Sequence, residues 1–306
     1  MNMLSLHAFT TGRSKFAQAR VQMHEIQIDK EQVLMMIEFV GAPGSGKTTL
    51  VPTVIDWLGS QGIQAFTIPD AARLFASRTF VGKQIQWMLP EHLHRPALWQ
   101  IFYYFSVAYR IRFLATHPHL VWYVISSQIQ RPESADLRQR QVLHWFFRMV
   151  GYTEFLSAHT RQDEAIIVDE GFIHRVVQLF TSDAQAADPT SVSRYMDLVP
   201  QPNLVIAVRA PREICERRIY LRGLWDRSRT KKPEQISQFV ANAHQVVNLA
   251  VEHIRKQGWP LIEIDNSGDD PSWAQEQLRS KLAHVLPLPS RQMRVWAASQ
   301  AQAQRG

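Results

Sequence analysis

One cysteine, Cys215, stands in 306 residues. A single thiol excludes an intramolecular disulfide and any metal site built from cysteines alone. Cys215 lies in a helix-compatible, charged stretch and reads as a packed thiol. No His/Cys cluster has the spacing of a zinc site. Met1 to Arg20 holds no continuous apolar core of the kind a secretory signal needs, so the cytoplasm is the expected compartment. No uninterrupted apolar span reaches membrane length, and no transmembrane segment is expected. The most aromatic stretch, Trp99 to Tyr123, is broken by Arg110, Arg112 and a His117-Pro118-His119 turn. The formal charge is +7, but no long basic run interleaves with aromatics, which leaves no clear nucleic-acid site. An Asn-Lys-x-Asp guanine-reading segment is missing as well, which weakens a GTPase reading.

Apolar residues make up 45% of the chain, enough for a sizeable core. The length suits one large α/β domain with additions, or two small ones. The strongest signal is Gly41-Ala42-Pro43-Gly44-Ser45-Gly46-Lys47-Thr48, a complete G-x-x-x-x-G-K-[ST] phosphate-binding pattern. At average residue usage it arises by chance in about one chain in a hundred of this length. Its context fits too. An apolar run from Val33 to Val40 enters it as a buried strand would, and a helix-compatible stretch from Thr48 to Leu58 leaves it. The glycines let backbone N–H groups turn toward a phosphate without Cβ clashes, and the helix adds its positive end. Gly41 to Thr49 is therefore the expected ATP-binding segment. Lys47 is expected on the β- and γ-phosphates, and the Thr48 hydroxyl on Mg²⁺.

Further short apolar runs follow. Ile63–Ile68 reads as a strand ending at Pro69-Asp70, and Ala165–Val168 as one ending at Asp169-Glu170-Gly171. Leu204–Val208 precedes a helix start at Pro211 with Glu213 in its first turn. Leu261–Ile264 ends at Asp265-Asn266-Ser267-Gly268, and a last helix spans Pro271 to Val285. The alternation predicts an α/β architecture with a parallel sheet flanked by helices on both faces. The expected organisation is an extension at 1–32, a domain at 33–285 and a tail at 286–306, with a mostly helical region at 71–158. Within that region Phe102, Phe105, Tyr109 and Phe113 have the spacing of a buried helix face. Lining of an acceptor site and an interfacial membrane helix remain open for the same stretch.

Ligands of parallel sheets bind at the carboxyl ends of the strands. That rule gathers the Gly41 loop, Asp70, Asp169-Glu170 and Asp265 on one edge. Asp169 is the expected carboxylate on the Mg²⁺ side, and Glu170 a second candidate holding a metal water or the acceptor. Asp70 reads equally as a base for an attacking hydroxyl and as a helix cap. Arg73, Arg78, His174 and Arg175 are candidates for acceptor contacts. Arg217, Arg218, Arg222, Arg227 and Arg229 form a basic segment at 217–232 whose planar forks suit transferring phosphoryl oxygens.

These motifs together resemble the P-loop kinases of the thymidylate kinase and deoxynucleoside kinase group. The residues carrying the likeness are the Gly41–Thr48 loop, the Asp169-Glu170-Gly171 strand end, and Pro202–Val208 followed by Arg217, Arg218 and Arg222-Gly223. The resemblance implies a P-loop NTPase three-layer sandwich with a long helical acceptor-side insertion. It implies Asp70 as base, Asp169 on the Mg²⁺ side, a lid bearing Arg218, Arg222 and Arg227, and adenine near Asp265–Gly268. Thymidylate kinases carry Asp-Arg after the third strand and deoxynucleoside kinases Glu-Arg-Ser, whereas this chain has Asp169-Glu170-Gly171. The acceptor is thus open among nucleoside, nucleotide, sugar and lipid-linked glycan. The expected activity is ATP- and Mg²⁺-dependent phosphoryl transfer to a small-molecule acceptor, with a homodimer open. The alternative is an ATP-hydrolysing switch acting through a protein, membrane or nucleic-acid partner.

Overall fold

A computed structural model describes residues 35–129, 136–161, 163–181, 186–223 and 231–286, with backbone alone over 136–140. The chain divides into two units, Met1–Val33 and Leu34–Gly306, and every described residue belongs to the second. Its sheet is formed by β1 (Met35–Val40), β2 (Gln64–Thr67), β3 (Glu164–Val168), β4 (Leu204–Arg209) and β5 (Leu261–Asp265). All pairings are parallel, in the order β2-β3-β1-β4-β5. The three inner strands are apolar runs buried almost throughout, as strands covered on both faces must be.

The helices are α1 (Lys47–Ser60), α2 (Ile68–Arg78), α3 (Phe80–Met88), α4 (Glu91–Thr116), α5 (Pro118–Ile129) and α6 (Asp136–His159). They continue with α7 (Arg175–Phe180), α8 (Pro189–Leu198), α9 (Arg212–Arg222), α10 (Pro233–Lys256) and α11 (Ser272–Val285). Side chains alternate across a strand, so β1 serves two cores. Ile37 and Phe39 pack with α1 and α11 on one face. Met36 and Val40 point to the other face, into clusters built from α2, α4 and α6 and from α5 to α8 and α10. The sheet is therefore the middle of three layers. The α4–α6 contact is aromatic: the Phe102 ring lies 4.8 Å from Tyr152 and 5.1 Å from Phe155.

Two sequence expectations need correction. Asp70 does not end a strand, because β2 stops at Thr67 and α2 begins at Ile68. Thr67 caps that helix, its hydroxyl accepting from the Asp70 N–H, with Pro69 in the first turn. Local capping thus overrides the apolar run. Phe105 is 41% exposed, although Phe102 and Phe113 at the same spacing are buried. α4 is apolar on two sides, and periodicity alone cannot say which side meets the core.

Candidate functional site

The register sets the site. Glu38 of β1 stands opposite Val168 of β3, and Val40 opposite Ala207 of β4. Gly41 and Asp169 therefore leave neighbouring strands at the same edge, the carboxyl edge of the sheet. The loop that follows needs its glycines. Gly44 and Gly46 have φ of 81° and 91°, where side chains are strained. A methyl on Gly44 would meet the Cys215 carbonyl of α9, and one on Gly46 the Asn266 amide. Cys215 is buried, and burial raises its thiol to about 11, so it packs against the loop rather than reacts.

α1 starts directly out of this loop with Gly46 at its cap position. No side chain caps it, and its first turn holds no acid. Its leading N–H groups lack intrahelical acceptors, as at any helix start, and they face the loop's concavity with the positive end of the helix dipole. Lys47 folds back beneath the loop, its ammonium donating to the carbonyls of Gly41 (2.9 Å) and Ala42 (3.3 Å). Burial lowers the ammonium to about 8. Glu170 and Asp169 act on it in the opposite sense, and Arg222 in the same sense as burial. Lys47, Asp169, Glu170 and Arg222 thus share one electrostatic neighbourhood. Thr48 and Thr49 are exposed at the mouth, Asp169 is half-buried and Glu170 exposed. A half-buried carboxylate that acts on Lys47 and an exposed hydroxyl on the next residue, Thr48, are hard oxygen donors of the kind Mg²⁺ takes while keeping several waters.

The outer wall is the loop after β5. The buried Asn266 donates its amide to the Ser45 carbonyl at 2.7 Å. Arg218 donates to the Asn266 carbonyl at 3.0 Å and to the Gly268 carbonyl. Arg217 is paired with Asp269. Arg218 therefore braces the 266–268 loop against the glycine loop at 41–46. Arg227 and Arg229 lie outside the described residues. On the far side of β3, both Asp70 oxygens are engaged, one by the Thr67 hydroxyl (2.6 Å) and one by Arg73. Arg78 is held by the buried Glu164 at 2.7 Å and lies over the Phe75 ring, which makes it part of the frame.

Sequence reading passed over Glu38. It is fully buried on β1, and its Oε1 accepts from the His174 N–H at 2.9 Å. The backbone N–H groups of Phe172 and Ile173 act on it as well. A methyl on Gly171 would collide with it, so the glycine of Asp169-Glu170-Gly171 is the price of bringing that turn over the carboxyl group. Tyr195 donates to the Phe172 carbonyl at 2.8 Å, and the buried Arg175 donates to the Glu170 carbonyl at 3.3 Å. Glu38 is thus the peg on which the strand end carrying Asp169 hangs. The signal was available: a lone acid in the middle of Met35–Val40.

Burial raises Glu38 to about 8, against the backbone N–H groups and Arg175. In the unfolded chain the group titrates near 4.5. Between those values the folded state holds the extra proton, so the stability Glu38 contributes is complete below pH 4.5 and lost as pH rises to 8. Glu38→Gln should remove that slope. Thermal melts from pH 5 to 8.5 are expected to show wild type falling relative to the variant by a few kcal/mol, since one pKa unit is ~1.4 kcal/mol. Parallel curves would refute the raised titration of Glu38.

The chain matches no protein-family model, and a search of curated proteins finds no significant relative.

Proposed function

We propose that this protein is an ATP- and Mg²⁺-dependent phosphotransferase of the P-loop NTPase kind, similar to nucleoside and nucleotide kinases and at work in the cytoplasm. The observation that carries the reading is the uncapped start of α1. It opens from a loop held by Gly44 and Gly46 at positive φ, with Lys47 and Asp169 beside it. A helix start suited to anions, a cation and a carboxylate share one edge of the sheet, and that supports the reading.

In this reading the loop N–H groups and Lys47 hold the β- and γ-phosphates. Thr48 and Asp169 would hold Mg²⁺, with Glu170 at the rim. Bound there, Mg²⁺ supplies charge neutralisation on the phosphates. The acceptor oxygen forms a bond to the γ-phosphorus as the bond to the β–γ bridging oxygen breaks, and ADP leaves. An acceptor hydroxyl gives its proton to a carboxylate, for which Asp70 is the candidate once freed from Arg73. Arg222 lies near enough to Lys47 to act on it electrostatically and stabilises the transferring charge. The engagement of Asp70 by Thr67 and Arg73 favours one second reading, an ATPase switch without a small acceptor.

One assay separates the two. ADP release from Mg-ATP is measured with and without nucleosides, nucleoside monophosphates, sugars and lipid-linked glycans. One class is expected to stimulate release, with the phosphorylated product seen by mass, and Asp70→Asn to suppress that stimulation by about 10²-fold while ATP affinity stays unchanged. Release that no acceptor stimulates and a protein or nucleic acid does would replace the kinase with the switch.

A further inference from the structure

Of the fifteen large hydrophobic side chains that stand exposed among the described residues, twelve lie between Phe80 and Ile129. The centre of that surface is α4. Its inner side, with Phe102 and Phe113, is buried. Its outer side presents Tyr104, Val107, Ile111 and Leu114 at intervals of three, four and three, which is one face of a helix. Trp87 on α3 and Trp122 on α5, 84% and 72% exposed, carry apolar exposure onto two further helices that pack against α4. Single exposed hydrophobics are ordinary. A whole helix face with neighbouring tryptophans marks a place where something docks.

Charge says what docks. Residues 80–129 contain one acid, Glu91, and four cations, Lys83, Arg95, Arg110 and Arg112. Glu154 of α6 takes Arg112 at 3.1 Å, and with it counted the surface still has a positive excess. Two copies meeting through this face would bring like charges together in a space being emptied of water. An anionic lipid surface offers the opposite: an apolar layer for the aliphatic stripe, a headgroup boundary that Trp and Tyr favour, and phosphates for the cations. No helix among the described residues is long and apolar enough to cross a membrane, so the contact is peripheral.

We propose that the outward surface of α3, α4 and α5 docks on membranes rich in anionic phospholipid, with the α4 stripe seated at the headgroup boundary. The inference is independent of the nucleotide chemistry. It is tested by sedimenting the full chain with vesicles of phosphatidylcholine alone and of phosphatidylcholine with phosphatidylglycerol. Binding is expected to the anionic vesicles only, weakening as salt rises. Ile111→Glu should lower the partition by about tenfold or more, and so should the exposed pair Lys83→Glu with Arg95→Glu. Melting temperature and Mg-ATP affinity should not change in either. If Ile111→Glu fails to fold, the lysine–arginine pair decides alone. The proposal is overturned by three results: no binding to either vesicle, variants that partition like wild type, or a dimer in sedimentation velocity that Ile111→Glu dissociates.

Discussion

Lys47→Ala is expected to abolish measurable turnover of Mg-ATP, with a loss of about 10³-fold or more, while the protein stays folded. The loss is large because the ammonium already sits under the 41–48 loop, on the carbonyls of Gly41 and Ala42. Removing one preorganised group that meets developing charge costs 10²–10³-fold in other sites, and in the proposed reaction Lys47 would meet two phosphates at once. Folding is spared for a separate reason. Burial works against this ammonium in the folded state, which is why it is lowered to about 8. The alanine variant gives up two hydrogen bonds and an unfavourable desolvation together, so its stability should stay within about 1 kcal/mol of wild type. Initial rates of ADP release and a thermal melt on the same preparation check both halves. A variant that turns over normally removes the assigned site, and one that is inactive because it is unfolded leaves the melt to say so.

The parts of this fold that sequence made legible are those whose physics is local or strictly periodic. Buried parallel strands must be nearly continuous apolar runs, and β1, β3 and β4 were read from just that property. The turn between β1 and α1 was legible because backbone at positive φ needs glycine at Gly44 and Gly46. Long-range partnerships were not legible. Nothing near Glu38 in sequence announces that N–H groups from Phe172 to His174 will converge on it, more than 130 positions away. Nothing near Arg218 announces that it will brace Asn266. Asp70 reads equally as a base and as the cap of a helix from Ala71, whereas the Thr67, Pro69 and Asp70 signal starts that helix at Ile68 with Thr67 as its cap. α10 also carries a plain helical pattern in Ile236, Phe239, Val240, Ala243, Val246 and Val247, and closes one face of the sheet without having been foreseen.

The Glu38 peg gives Asp169 a sharper expectation than a strand-end acid would carry. Asp169 leaves β3 beside Gly41, and the turn after it is fixed by Glu38 from below and by Arg175, which donates to the Glu170 carbonyl. The backbone that carries the Asp169 carboxylate is thus fixed, and the carboxylate acts electrostatically on Lys47, a setting that suits a metal demanding regular geometry. Asp169→Asn preserves shape and hydrogen-bonding reach but removes the charge, and the half-buried position tolerates it. Turnover at saturating ATP is expected to fall about 10²-fold, and the free Mg²⁺ needed for half-maximal rate to rise by about 10–100-fold, the range seen when a carboxylate supporting a metal site is lost. Glu170→Gln, at an exposed position, should shift the Mg²⁺ requirement less than tenfold, as expected of an oxygen that reaches the ion through solvent. Rates measured across a Mg²⁺ series for the two variants separate the roles. If Asp169→Asn lowers the rate with no change in Mg²⁺ dependence, Asp169 shapes the loop instead of facing the ion. The peg at Glu38 would then position the backbone of the Asp169-Glu170-Gly171 turn, and the metal-side carboxylate would have to be sought in Glu170.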